Sequence, residues 1–359
     1  MSLNILGLAT ALPEHVTTQK AAAAIANRVC CQTEEQARVL KVIYRRAGVV
    51  NRHAVVPHEF ALNWLESTSE AAVAVATEMG PTTLERMQMY EQHAGPLAVR
   101  AASGALHASG VPAERISHLV TVSCTGFFAP GIDIELIDRL KLSPRTERIN
   151  VAFMGCHGAI NGMRTALGLA TADPEARVLM LAIELCSLHF RFQWDPEHFL
   201  GNALFADGAA ALVGGGLGYD GLTVAATGSC VLPDSREAIG WKVGDHGFEM
   251  TLSAKVPDLI KKHLRPWLDE WLASQGLSVE RVGSWAIHPG GPRILSAVEE
   301  SLQLGPVASV SRQVLSEFGN MSSPTVLFIV DRLQRSQAPR PYVALAFGPG
   351  LTAEAALFL

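Results

Sequence analysis

The chain has 359 residues, 48% of them hydrophobic and 18% charged, with a formal net charge of −5. That length suits about two domains or one large duplicated one, and the composition buries a sizeable core and excludes disorder over most of the chain. The acidic balance without a basic run excludes a nucleic-acid partner, and the lack of an uncharged apolar run of ~18 residues excludes a transmembrane helix.

The N-terminus, Met1-Ser2-Leu3-Asn4-Ile5-Leu6-Gly7, has no positive leading region, so it reads as a first strand and not as a signal peptide. Residues 17–46 and 66–109 are rich in Ala, Glu, Gln, Arg and Met at helical spacing and predict two helices. Short apolar runs then alternate with helical stretches: His118–Ser123, Ile149–Phe153, Val178–Ile183, Ala209–Val213, Trp285–His288 and Val343–Phe347. This alternation predicts an α/β sheet covered on both faces. The six cysteines, Cys30, Cys31, Cys124, Cys156, Cys186 and Cys230, show no C-x-x-C spacing. A zinc site and a disulfide scaffold are therefore not expected, and the chain reads as reduced and cytoplasmic, without a metal.

An internal repeat organises the chain. His118 to Gly126, Met154 to Leu167 and Arg177 to Glu184 form one series; Gly283 to Gly291, Phe318 to Asp331 and Pro341 to Gly348 form the other. Each runs strand, Gly-polar turn, helix, strand. Cys156 lies 33 residues after Ser123 and Asn320 lies 32 after His288, each following a Gly and each expected to open its helix. Packing two such halves about a pseudo-two-fold brings Cys156, His288 and Asn320 toward one cavity.

Those three residues define a chemistry. A cysteine at a helix N-terminus meets unpaired N–H groups and the positive dipole end, and both favour thiolate, as does a nearby imidazole. Gly155 and Gly158 permit a sharp entry into the helix. His288 ends a strand before the rigid Pro289-Gly290-Gly291 turn. Asn320 reads either as a helix cap or as a non-titrating N–H donor for an oxyanion. Cys, His and Asn serve two reactions: amide hydrolysis of the papain type, or condensation in which His and Asn hold an enolate. The papain-type signature around the cysteine is absent.

Five motifs carry a resemblance: Gly155-Cys156, Asn202 to Ala211, Ile287 to Pro292, Gly319 to Ser323 and Phe347 to Thr352. In this order and spacing the sequence resembles the type III polyketide synthases, the chalcone-synthase-like branch of the thiolase-fold condensing enzymes. The resemblance covers nearly the whole chain. It implies a duplicated thiolase fold with five αβαβα layers, halves spanning residues 1–217 and 218–359, and a homodimer. It implies that Cys156 takes a starter acyl group from coenzyme A. His288 and Asn320 then hold the thioester oxygen of malonyl-CoA as CO₂ leaves, and the enolate attacks the acyl-Cys. Coenzyme A thioesters are substrates, and no cofactor is implied.

The resemblance also implies substrate contacts. Phe205 matches the aromatic gatekeeper between the CoA tunnel and the cavity, and Phe347 lies on the loop shaping that cavity. Arg46, Arg293 and Gly291 match CoA-contacting positions. Val39 and Val42 replace basic residues there, while Arg38, Lys41 and Arg45 share that helix. Glu184 to Phe190 and Gly240 to Phe248 look like bacterial alkylpyrone and alkylresorcinol synthases. In such enzymes small residues open an acyl tunnel, here Thr125, Ala129 and Cys186, beside Cys124. Trp241 stands where plant enzymes have Gly, and Met250 replaces an aromatic. Together these imply a medium- or long-chain fatty acyl starter. The alternatives are a ketoacyl synthase III-like enzyme that condenses once, and a silent homologue acting as a partner subunit.

Overall fold

The computed structural model describes residues 2–67, 79–195, 199–216 and 221–359. The first half begins with β1 (Leu3–Ala11), β2 (His15–Thr18), α1 (Gln19–Cys30), α2 (Glu34–Arg46), β3 (Asn51–Ala54), α3 (Phe60–Ser67) and α4 (Thr83–Ser109). It continues with β4 (His118–Ser123), α5 (Ile132–Leu140), β5 (Glu147–Ala152), α6 (Gly158–Ala172), β6 (Arg177–Leu185), α7 (Leu200–Leu204) and β7 (Asp207–Gly215). The second half holds β8 (Leu222–Val231), β9 (Ile239–Gly244), β10 (Gly247–Leu252), α8 (Val256–Ser274), β11 (Ser284–Ile287) and α9 (Pro292–Leu302). It ends with α10 (Ser309–Phe318), α11 (Thr325–Arg335), β12 (Tyr342–Gly348) and β13 (Thr352–Phe358).

Nine strands form one mixed sheet in the order β11-β12-β13-β8-β1-β7-β6-β4-β5. The halves meet where β1 pairs antiparallel with β8, Leu3 opposite Val224 and Ile5 opposite Leu222. The inner strands β6, β7, β12 and β13 are almost wholly buried because helices cover both faces, whereas the edge strand β5 is mostly exposed. On β6, Val178, Met180 and Ala182 face the central helices α6 and α11, while Leu179, Leu181 and Ile183 face α4. On β12, Ala344 and Ala346 face the centre, while Val343, Leu345 and Phe347 pack with α8 and α9. The alternation yields five layers: α4 and α5, first-half strands, α6 and α11, second-half strands, α8 and α9. This is the duplicated thiolase-like arrangement.

Two helix boundaries differ from expectation. Residues 17–46 form two helices, because Thr33 makes a capping box with Gln36 and starts α2 afresh. Thr82 caps α4 in the same way with Glu85, so that helix begins at Thr83. Residues 68–78 of the expected 66–109 helix, and the division between halves at 217/218, lie outside the described residues.

Candidate active site

The turn carrying Cys156 is tightly wound. Phe153 (φ 57°) and Gly155 (φ 64°) both have positive φ after β5. A Cβ at Gly155 would stand 2.7 Å from Pro349 Cδ, so the position needs glycine for its dihedral and for the close loop. Cys156 sits on a 3₁₀ turn, Gly155–His157, that runs directly into α6, so it stands at the start of that helix as expected. Its sulfur accepts a hydrogen bond from Ser322 Oγ at 3.5 Å, and the nearby Asn320 side chain also favours the thiolate.

His288 follows β11, and its backbone N–H donates to Leu345 O at 2.7 Å. The imidazole is buried, and neither ring nitrogen has a hydrogen-bond partner. Asn320 neither opens nor caps a helix: α10 ends at Phe318, Gly319 turns with φ 77°, and α11 starts at Thr325 after Pro324. Instead Asn320 forms a backbone bridge with Phe205. Its Oδ1 accepts from Ser322 N–H at 2.8 Å, which leaves its NH₂ as the donor available to the cavity it lines with Cys156.

Cys156, His288 and Asn320 line one cavity of about 70 Å³. Phe205, Phe347, Trp241 and Met250 line it too, as do Cys124, Thr125 and Cys186. Trp241 is pinned by a hydrogen bond from Nε1 to Cys124 O at 2.7 Å. Ala129 is the exception: it is exposed and does not line this cavity with Thr125 and Cys186. Arg46 and Arg293 are exposed, and Gly291 (φ 139°) is buried. The two arginines flank one junction, since a Cβ at Gly48 would lie 2.9 Å from Pro292 Cγ.

A larger pocket of about 350 Å³ adjoins the first, and Cys186, Phe205, Trp241 and Met250 line both. Its walls are apolar at Val56, Phe60, Met89, Phe192 and Phe248, and cationic at Arg52, Arg86 and Arg191.

Sequence reasoning missed Glu184 and Ser322. The fully buried Glu184 carboxylate accepts from Cys124 N–H at 3.0 Å, Thr125 Oγ1 at 2.6 Å and Ser323 Oγ at 2.6 Å. It thereby ties the first-half loop to the Ser322-Ser323 turn that contacts Cys156. Burial raises its carboxyl above the usual range, and those donors pull it back. The available signal was a lone carboxylate closing an apolar strand. Ser322 holds φ 55°, an uncommon conformation for serine.

Burial works against the expected thiolate. Burial pushes the Cys156 thiol up to about 11, against the pull of Ser322 and Asn320. Burial, with His157 nearby, holds His288 down at about 3. Desolvation thus works against both the thiolate and the imidazolium. Among the described residues no cluster of three or more His, Cys, Asp or Glu is arranged to hold a metal, and no helix is long and apolar enough to cross a membrane.

Residues 2–217 match the family model for chalcone and stilbene synthases, N-terminal domain, and residues 223–359 match that for the C-terminal domain. The alpha-pyrone synthesis polyketide synthase-like Pks18 of Mycobacterium tuberculosis is 33% identical, over 99% of this chain and 90% of its own. The 1,3,6,8-tetrahydroxynaphthalene synthase of Streptomyces peucetius is 33% identical, over 98% of this chain and 91% of its own. Among solved structures, PKS-I of the brown alga Ectocarpus siliculosus superposes with a TM-score of 0.91 at 30% identity, covering 99% of this chain and 98% of its own.

Proposed function

This chain belongs to the chalcone and stilbene synthase family and is a type III polyketide synthase, an acyltransferase; from that premise we propose that it extends a fatty acyl starter with malonyl-CoA to alkylpyrone- or alkylresorcinol-type products. The observation that carries the reading is the single cavity shared by Cys156, His288 and Asn320, with both His288 nitrogens unpartnered.

His288 takes the Cys156 proton as the thiol attacks the acyl-CoA carbonyl, so a neutral pair becomes an ion pair only when a thioester is present. The departing CoA thiolate takes that proton. Malonyl-CoA then loses CO₂, and its enolate oxygen is held by a His288 N–H and the Asn320 NH₂. The enolate carbon attacks the acyl carbonyl and releases the Cys156 thiolate. Arg46 and Arg293 supply cations for CoA phosphates at the mouth, Gly291 gives a backbone contact there, and Phe205 stands at the entrance.

A fatty acyl chain exceeds the catalytic cavity, and the 350 Å³ pocket past Cys186 and Met250 gives it room. Burying it there yields ~0.8 kcal/mol per CH₂. The chain works as a homodimer in this reading, with the exposed apolar side chains Phe127, Ile149 and Met154 available to a second copy. The alkylpyrone relative supports a fatty starter. Mass spectrometry of the products from a panel of acyl-CoAs with malonyl-CoA tests it. Alkylpyrones or alkylresorcinols whose yield rises with chain length are expected; turnover of malonyl-CoA alone, or of aromatic starters only, would refute it.

A further inference from the structure

The catalytic turn carries a second imidazole that the condensation does not use. His157 follows Cys156 directly and is buried. Its Nδ1 lies 2.7 Å from Asn161 Oδ1. The Asn161 amide nitrogen donates to Glu354 Oε1 at 3.2 Å, so Asn161 Oδ1 is the acceptor and His157 Nδ1 carries the hydrogen. Glu354 belongs to β13, in the other half of the fold. It accepts from Ser229 Oγ at 2.8 Å and is ion-paired with Arg164 of α6. The ring also abuts Gly348: a Cβ there would come within 2.2 Å of His157 Cδ2. Gly348 stands between Phe347 and Pro349, and all three line the catalytic cavity.

We propose that His157 is a positioning residue: Glu354, through Asn161, fixes it as the neutral Nδ1–H tautomer, and in that state it locks the Cys156 turn onto the Gly348 loop while keeping a second cation away from His288. The groups that face the ring are Asn161 and Arg164 from α6, Glu354 from β13 and His288 from the turn after β11. Glu354 favours a charged ring, and burial and Arg164 oppose it. Arg164 therefore neutralises the same carboxylate that orders the ring. A charged His157 would make His288 a poorer acceptor for the Cys156 proton. The inference rests on Cys156 as the acylated residue.

The test is the pH dependence of Cys156 acylation, read by intact-protein mass spectrometry. Arg164→Gln strips the counter-charge from Glu354, and the acid limb should move up by roughly one pH unit. His157→Gln keeps an N–H for Asn161 but cannot charge, so the limb should move down while acylation at neutral pH is retained. His157→Ala loses the lock, and acylation should fall by roughly tenfold or more at every pH, with KM for acyl-CoA unchanged. Nitrogen NMR of the histidine-labelled wild-type protein should find His157 protonated on Nδ1, a readout that needs no variant to fold. Superimposable pH profiles for wild type, Arg164→Gln and His157→Gln, or an Nε2–H tautomer, would overturn the proposal. Acylation of a Cys156→Ala control would instead refute the nucleophile assignment.

Discussion

Phe205 and Asn320 are held together backbone to backbone: Asn320 N–H donates to Leu204 O at 2.8 Å, and Ala206 N–H donates to Asn320 O at 2.9 Å. The aromatic ring at the entrance and the amide beside Cys156 are thus one unit, although they come from different halves of the chain. Because the bridge uses only main-chain atoms, the Asn320 side chain is free to be changed without dismantling it. We expect Asn320→Ala to fold normally and to load starter on Cys156 within a few-fold of wild type, while decarboxylation of malonyl-CoA falls by about 10²–10³-fold. Acetyl-CoA release from malonyl-CoA measures this, and normal release would leave the side chain without a catalytic part.

Ser322 combines a positive φ with the hydroxyl that contacts Cys156. Ser322→Ala and Ser322→Gly both remove a hydrogen bond that lowers the thiol pKa, so iodoacetamide should alkylate Cys156 more slowly in both, with the pH–rate curve moved upward. Only Ser322→Gly also relieves the backbone, and it should gain about 1 kcal/mol of stability over Ser322→Ala. Equal melting temperatures for the two would contradict the strain argument.

Chain length should be set where the two cavities meet. Cys186→Phe fills a position that lines both. It should keep short acyl-CoAs and lose long ones, at ~0.8 kcal/mol per excluded CH₂. Ala129 lines neither cavity in one chain, so Ala129→Phe should change chain preference only if a second copy brings it to this site. Product profiles across an acyl-CoA series, read beside the oligomeric state, separate the two effects.

Stability should fall on acidification. His288 is buried and His58 and His189 are half-buried, and all three are held down at about 3, against 6.5 when unfolded. Below pH 6.5 the unfolded chain binds protons that the folded chain refuses, so the full stability present above 6.5 is lost as pH falls toward 3. Each histidine withdraws about 1.4 kcal/mol per pH unit in that window. Asp207, raised from 3.8 to about 6, and the raised Glu184 carboxyl work the other way as they are protonated, but they are two groups against three imidazoles with the larger shifts. Urea midpoints between pH 7 and 4.5 should decline steadily; a flat series would mean that these imidazoles reach water.

Much of this site was legible in the sequence because it is written in short motifs. The strand His118–Ser123 has the expected limits, and Cys156, His288 and Asn320 share a cavity as the repeat implied. The errors fall where tertiary contacts decide. Asn320 reads locally as a cap, yet the chain from Gly319 runs on to pair with Phe205, and that partner is 115 residues away. A thiol after Gly155 reads as activated, yet burial dominates its titration. The β9–β10 hairpin that carries Trp241 and Met250 was not foreseen, because its residues lack a clear period-two pattern. Glu184 was quoted within a motif but its partners come from two distant segments, Cys124-Thr125 and Ser323, which no local pattern encodes.

The central claim is that Cys156 carries the acyl chain that malonyl-CoA extends. Cys124 and Cys186 line the same cavity, so the experiment must distinguish three thiols. The protein is incubated with a long-chain acyl-CoA, quenched in acid, digested and mapped by mass spectrometry, with a second portion chased with malonyl-CoA. The account predicts an acyl adduct on Cys156 alone that disappears in the chase as an equivalent amount of polyketide forms. An adduct on Cys124 or Cys186, or a Cys156 adduct released only as the free fatty acid, would contradict it.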